Sequence, residues 1–160
     1  SMNATAVIVG LAVIMAGSAA HGACPSVGSA ERPLFSRPVA GEVVSGFGPR
    51  VHPILQTTRM HTGVDYAAAV GDPVRAAAAG EVSFAAEEDG YGKKVTIRHA
   101  MGFETVYAQL GEISVRKGDC VDAGALVGRA GATDLRPHLH FEVLVNGRFL
   151  DPVRMRGGPG

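Results

Sequence analysis

Two short clusters of histidine and carboxylate stand out in this chain of 160 residues. His61 and Asp65 are four apart, and His138 and His140 are two apart. On an extended strand, residues two or four apart share a face. His61 and Asp65 then point together, with Thr62, Val64 and Tyr66 on the opposite side. In the second segment His138, His140 and Glu142 share one face, while Leu139, Phe141, Val143 and Val145 share the other. Two neutral imidazoles and one carboxylate make a catalytic zinc set, with three protein ligands and a fourth position open to water. Such a site lowers the pKa of its water towards ~7 and polarises a carbonyl. A histidine beside the metal that is not itself a ligand can take a proton or stabilise a developing oxyanion, and His138 is the natural candidate. Neither pair is specific alone, because His-x-x-x-Asp recurs by chance and exposed strands carry histidines. A purely structural zinc site would normally be closed by four protein ligands, and only three convincing ones are present.

The elements that must hold these groups read as short strands separated by turn signals. Strand-like runs cover residues 43–47, 81–85, 94–99, 104–109, 126–128, 138–145 and 148–150, with Val121 in a further short one. Asn146-Gly147 between the last two runs is a two-residue hairpin signal. The only helix-like pieces are an apolar N-terminal segment and the alanine run 76–79, which Gly80 stops. The expected fold is all-β: a mainly antiparallel, small, barrel-like sheet with few or no helices elsewhere. His99 ends a strand-like run and reads as a hydrogen-bonded structural histidine. Tyr107 could line a cleft or pack, and Glu142 could orient a ligand imidazole or simply be exposed.

Composition limits the partners. Fifteen basic residues balance fifteen acidic ones, so there is no electrostatic footprint for nucleic acid or anionic lipid. With 46% apolar residues the chain can build a packed core, and 22 glycines, nine prolines and no tryptophan favour a turn-rich fold. All charges fall from Glu31 onward, and an apolar run at 6–17 precedes Ser18-Ala19-Ala20. That pattern is expected for an export signal, although no Lys or Arg precedes it, and any membrane tether would come through this segment. Residues 1–23 are therefore expected to be a tag remnant plus signal peptide or anchor, 24–39 a linker, 40–153 the single folded domain and 154–160 a flexible tail. Cys24 and Cys120 could form a disulfide in an oxidising compartment, or Cys120 could be a small buried hydrophobe. Cys24 could also be a lipidated terminus, but no Leu-like residue precedes it where such a site prefers one.

An ordered series of motifs spans most of the body. Ser45 to Pro53 reads Ser-Gly-Phe-Gly-Pro-Arg-Val-His-Pro; then come His61-Thr62-Gly63-Val64-Asp65-Tyr66 and Gly71 to Ala76. Gly90-Tyr91-Gly92, Thr105-Val106-Tyr107, Val115 to Gly118, Pro137 to Glu142, Asn146-Gly147 and Asp151-Pro152 follow. In this order the series resembles the lysostaphin/LytM-type zinc metallopeptidases, over roughly residues 40–153. The resemblance implies a small β fold with a zinc cleft, secretion to the cell envelope and hydrolysis of peptides in bacterial peptidoglycan. It makes His61, Asp65 and His140 the zinc ligands and His138 a residue that assists catalysis. Arg50 and His52 fall in the family's Arg-x-His-Pro pattern, where Pro53 also suggests a turn role.

Two departures from the family pattern carry weight. Where it usually has a second catalytic histidine, this chain has Gln109 in Tyr107-Ala108-Gln109-Leu110. A glutamine donates and accepts hydrogen bonds but exchanges no proton near neutral pH. The stretch 131–137 also looks shorter than the family's usual loop before His138. The expected activity is thus a zinc metalloendopeptidase acting on peptidoglycan peptides, with turnover reduced at Gln109. The competing reading is a catalytically weakened module that binds cell wall or activates another wall hydrolase.

Overall fold

The computed structural model describes residues 24–132 and 137–156. Twelve strands account for about half of this body: β1 Val43–Ser45, β2 Gly48–Val51, β3 Thr58–His61, β4 Val64–Ala67, β5 Pro73–Arg75, β6 Gly80–Glu88, β7 Gly92–Arg98, β8 Phe103–Ile113, β9 Cys120–Val121, β10 Leu126–Ala130, β11 His138–Val145 and β12 Arg148–Leu150. The described helices are three single 3-10 turns, at Pro25–Gly28, Ala100–Gly102 and Pro152–Met155. The all-β, antiparallel fold expected from the sequence is the fold found. Its main sheet runs β1-β4-β11-β8-β7-β6-β9, with β12 beside β11, while β10 bridges β8 and β5. A separate two-stranded ribbon, β2–β3, stands off this sheet.

Alternation sets the core. Along β4 and β11 the buried residues are Val64, Tyr66, Leu139, Phe141 and Val143, which meet Val74, Val82, Val95, Ile97, Tyr107 and Val127 beneath the sheet. The residues between them, Asp65 and His140, are half-buried on the other face. Asn146 and Gly147, both at positive φ, close the hairpin between β11 and β12.

Three sequence expectations are corrected by tertiary packing. The alanine run 76–79 is not helical: Ala76 donates to Ala125 O and Ala77 donates to the Tyr107 hydroxyl. Its methyls are small enough to let the chain cross the core, where Ala76, Ala77 and Ala78 are buried. The run from His61 to Tyr66 is broken at Thr62-Gly63 between β3 and β4. Gly63 fits there because a Cβ would meet Phe141 O at 2.2 Å. The ribbon of β2 and β3, and the short β5, gave no strand signal in the sequence.

The segment before β1 packs on the body, with Phe35 and Val39 in the core. Cys24 and Cys120 form a disulfide across 96 positions, so the Cys24 sulfur is not available to a lipid. At the other end, Asp151 caps the turn Pro152–Met155 by accepting from the Val153 amide, and Arg156 bridges to Phe35. The expected export segment, 1–23, the end of the tail, 157–160, and the middle of the short loop, 133–136, lie outside the described residues.

Candidate functional site

β4, β11 and β8 lie side by side, and their register sets one row of residues across the sheet. Asp65 faces His140, and His140 faces Ala108. His61 comes to this row from the end of the β2–β3 ribbon, through the Thr62-Gly63 turn. The chain thus brings one atom each from His61, Asp65 and His140 within 4.8 Å of one another. Asp65 Oδ1 lies 2.9 Å from His140 Nδ1 and 3.4 Å from His61 Nε2. His138 shares the face with its Nε2 3.9 Å from the same oxygen. The four side chains line a cleft of about 460 Å³, together with Tyr91 and Gln109.

The donor set fits zinc. Bonds of about 2.0–2.1 Å in a tetrahedron put ligand atoms about 3.3 Å apart, close to the separations around Asp65. The outer nitrogen of each imidazole also has an acceptor, which fixes ring orientation. His61 Nδ1 lies 2.7 Å from Gly46 O, and His140 Nε2 lies 2.9 Å from Glu142 Oε1. Glu142 is only 1% exposed and accepts from the Thr62 hydroxyl at 2.6 Å and the Tyr91 hydroxyl at 3.2 Å. Of the two alternatives left by the sequence for Glu142, burial against a ligand imidazole is the one found.

Charge in the cleft follows from these contacts. Burial pushes the Asp65 carboxyl up, but the hydrogen bond and charge of His140, with His61 and His138 nearby, outweigh it and hold Asp65 below the usual range. Glu142 is likewise pushed up by burial and held down more strongly by His140 and Thr62. His140, although burial disfavours its charge, is raised to about 9 by its bonds to Asp65 and Glu142. The His140 ring thus lies between two carboxylates, with Asp65 at Nδ1 and Glu142 at Nε2. Burial and the Glu142 charge push Tyr91 up to about 12, so its phenol stays a donor.

Gln109 lines the cleft from a bulge in β8, where the pairing with β7 shifts between Lys93 and Val95. It sits at φ 62, its backbone N–H donating to Tyr91 O and its backbone carbonyl accepting from the Gly131 N–H. His52 is spent locally, its Nδ1 accepting from the amides of Ile54 and Leu55 in the turn of the ribbon. Arg50, by contrast, reaches the cleft, with Nη2 2.6 Å from His61 Nδ1 and in contact with the Ser45 hydroxyl. His99 and Tyr107 belong to the core: His99 contacts Ala79 O and the Thr105 hydroxyl, which contacts the Tyr107 hydroxyl.

Sequence reasoning missed Thr62 and Tyr91. Thr62 was expected opposite His61, but the break in the strand turns its hydroxyl to Glu142. Tyr91 lies in the tight β6–β7 turn, and only tertiary pairing brings it over β11.

Two imidazoles and a carboxylate thus converge in an open cleft of an antiparallel β domain, as a donor set that could hold a metal ion. Comparisons with known proteins give the family. Residues 59–152 match Peptidase family M23. The chain is 49% identical over 113 residues to the DD-carboxypeptidase/endopeptidase Mpg of Neisseria meningitidis serogroup B, covering 69% of this chain but only 26% of that relative. Among solved structures, a zinc containing peptidase from Vibrio cholerae superposes with a TM-score of 0.72 at 35% identity, over 81% of this chain and 41% of that one. The catalytic domain of lysostaphin from Staphylococcus simulans gives 0.63 at 30% identity, over 71% of this chain and 90% of that one. The chain belongs to peptidase family M23.

Proposed function

We propose that this chain is a zinc-dependent endopeptidase of the exported cell envelope that hydrolyses cross-links or stem peptides of bacterial peptidoglycan. The observation that carries the reading is the convergence of His61, Asp65 and His140 at the floor of one open cleft. His61 Nε2, Asp65 Oδ1 and His140 Nδ1 would hold the ion. When bound, zinc supplies Lewis acidity, polarising the scissile carbonyl and acidifying water towards ~7.

The chain's own groups do the rest. Asp65 stays ionised, and Gly46 O and Glu142 hold the two imidazoles in place. His138 takes a proton from the attacking water or hydrogen-bonds the developing oxyanion. Gln109, from its bulge, orients substrate or water through its amide but moves no proton. The substrate class is supported by the DD-carboxypeptidase/endopeptidase relative. The Cys24–Cys120 disulfide supports an oxidising compartment.

Digestion of purified sacculi, followed by mass analysis of released muropeptides, tests the reading. The zinc-loaded protein is expected to convert cross-linked dimers to monomers, and a chelator to stop it. Dimers left intact, with no peptide released, would refute it.

A further inference from the structure

Two arginines on the β2–β3 ribbon have no task in this mechanism. Arg50 and Arg59 are directly opposed, in register with Gly48 and His61 two positions away. Side chains two apart on a strand share a face, so both rise from the face that presents His61. Both line the cleft. Like charges facing each other destabilise a ribbon unless an anion lies between them. The chain supplies little to neutralise them. Among the described residues, no carboxylate pairs with Arg59, and the nearest to Arg50 is Asp65 Oδ2 at 3.9 Å. Asp65 and Glu142 are already engaged by His140. The contact of Arg50 with His61 is not a stable destination either. A ring Nδ1 that gives its hydrogen to Gly46 O, 2.7 Å away, has no lone pair left for a guanidinium.

Resting on the function proposed above, we propose that Arg50 and Arg59 clamp a free carboxylate of the substrate, on the residue that contributes the scissile nitrogen. Guanidinium groups bind carboxylates through paired, charge-assisted hydrogen bonds. Because Arg50 Nη2 lies so near Asp65, the carboxylate it reaches belongs within about one residue of the carbonyl under attack. A terminal residue removed from a stem, and a diaminodicarboxylic acid linked through the amine at its far end, both carry a carboxylate on the carbon bonded to the scissile nitrogen; a lysine linked through its side-chain amine does not. Neither does a glycine bridge or an interior protein bond. The clamp therefore selects the first two substrates against the others.

The test uses the zinc-loaded protein and two acylated stem peptides ending in D-Ala-D-Ala, one a free acid and one a carboxamide. The acid is expected to be cleaved with a kcat/KM about 10–100-fold higher. Arg59→Gln, with unchanged zinc content, is expected to remove most of that preference while leaving the amide rate within about threefold; Arg59→Lys should restore part of it. A structural role for Arg59 would depress both substrates alike and keep their ratio. Binding of both peptides to the metal-free protein, followed by NMR shift changes, supplies a second readout. Acid-selective binding lost in Arg59→Gln supports the clamp even without turnover, and in that case only the hydrolase reading fails. Equal handling of acid and amide in both readouts overturns the clamp and leaves the hydrolase reading standing.

Discussion

At the scale of single residues, the site is a set of paired hydrogen bonds around a position that asks for a cation. His61, Asp65 and His140 do converge, through the pairing of β4 with β11 and the turn that ends β3 rather than through spacing along one strand. What the sequence hid were groups whose position depends on a neighbouring strand. Thr62 and Tyr91 act only through Glu142, and Glu142 itself could be read either way until its burial was known. Gln109 lines the cleft but cannot carry a proton, so on the proposed mechanism it limits turnover. Its φ of 62 is a conformation in which histidine is enriched relative to most residues, so Gln109→His needs no backbone change. That variant is expected to raise kcat on cross-linked muropeptides by about 10²–10⁴-fold, measured by product release at fixed zinc. No gain would show that proton transfer at this position is not limiting.

At the scale of elements, a buried polar chain ties the alanine segment 76–79 through β8 to His99, just past the end of β7. The Ala77 amide donates to the Tyr107 hydroxyl, 2.8 Å away, and Tyr107 in turn meets Thr105 and Thr105 meets His99. With His99 Nδ1 donating to Ala79 O, every donor in this chain has one acceptor, provided His99 is neutral. Burial accordingly holds the His99 imidazole below its ordinary value, against the opposing bond to Ala79. Its contribution to stability is full above about pH 6.5 and is lost as the pH falls towards its folded value, at up to about 1.4 kcal/mol per pH unit. His140 does not share that window: raised to about 9, its contribution in the metal-free protein is present below 6.5 and lost as the pH rises through 9. Urea unfolding of the metal-free protein between pH 7 and 5, beside an NMR titration of the His99 ring, is expected to show the loss in step with a depressed His99 pKa. A His99 ring that titrates at 6.5 would contradict it. The strands that alternate cleanly, such as β11 and β12, were legible with their boundaries. The ribbon, β5 and the alanine run were not, because their conformation is set by partners far along the chain.

At the scale of the whole molecule, the disulfide and Phe35 tie the segment before the first strand to the far edge of the sheet. Cys120 pairs with Glu81 on β6, so the cross-link anchors residue 24 beside the last strand of the main sheet. Closing a loop of this length restrains the unfolded chain, and its loss is expected to lower stability by about 2–5 kcal/mol. Denaturation of the oxidised protein beside a Cys24→Ser/Cys120→Ser variant measures this. Zinc affinity should be unchanged, since the cleft lies at the opposite side of the β8–β7–β6 stack from β9. Equal stability of the two forms would show that the segment is held by packing alone.

Elemental analysis of the purified protein after zinc loading and gel filtration tests the central claim most directly. A single zinc per chain is expected, reduced to near zero in His61→Ala and in His140→Ala and retained in His138→Ala. Stoichiometric zinc in both ligand variants, or zinc lost equally from His138→Ala, would contradict the three-ligand centre on which the account rests.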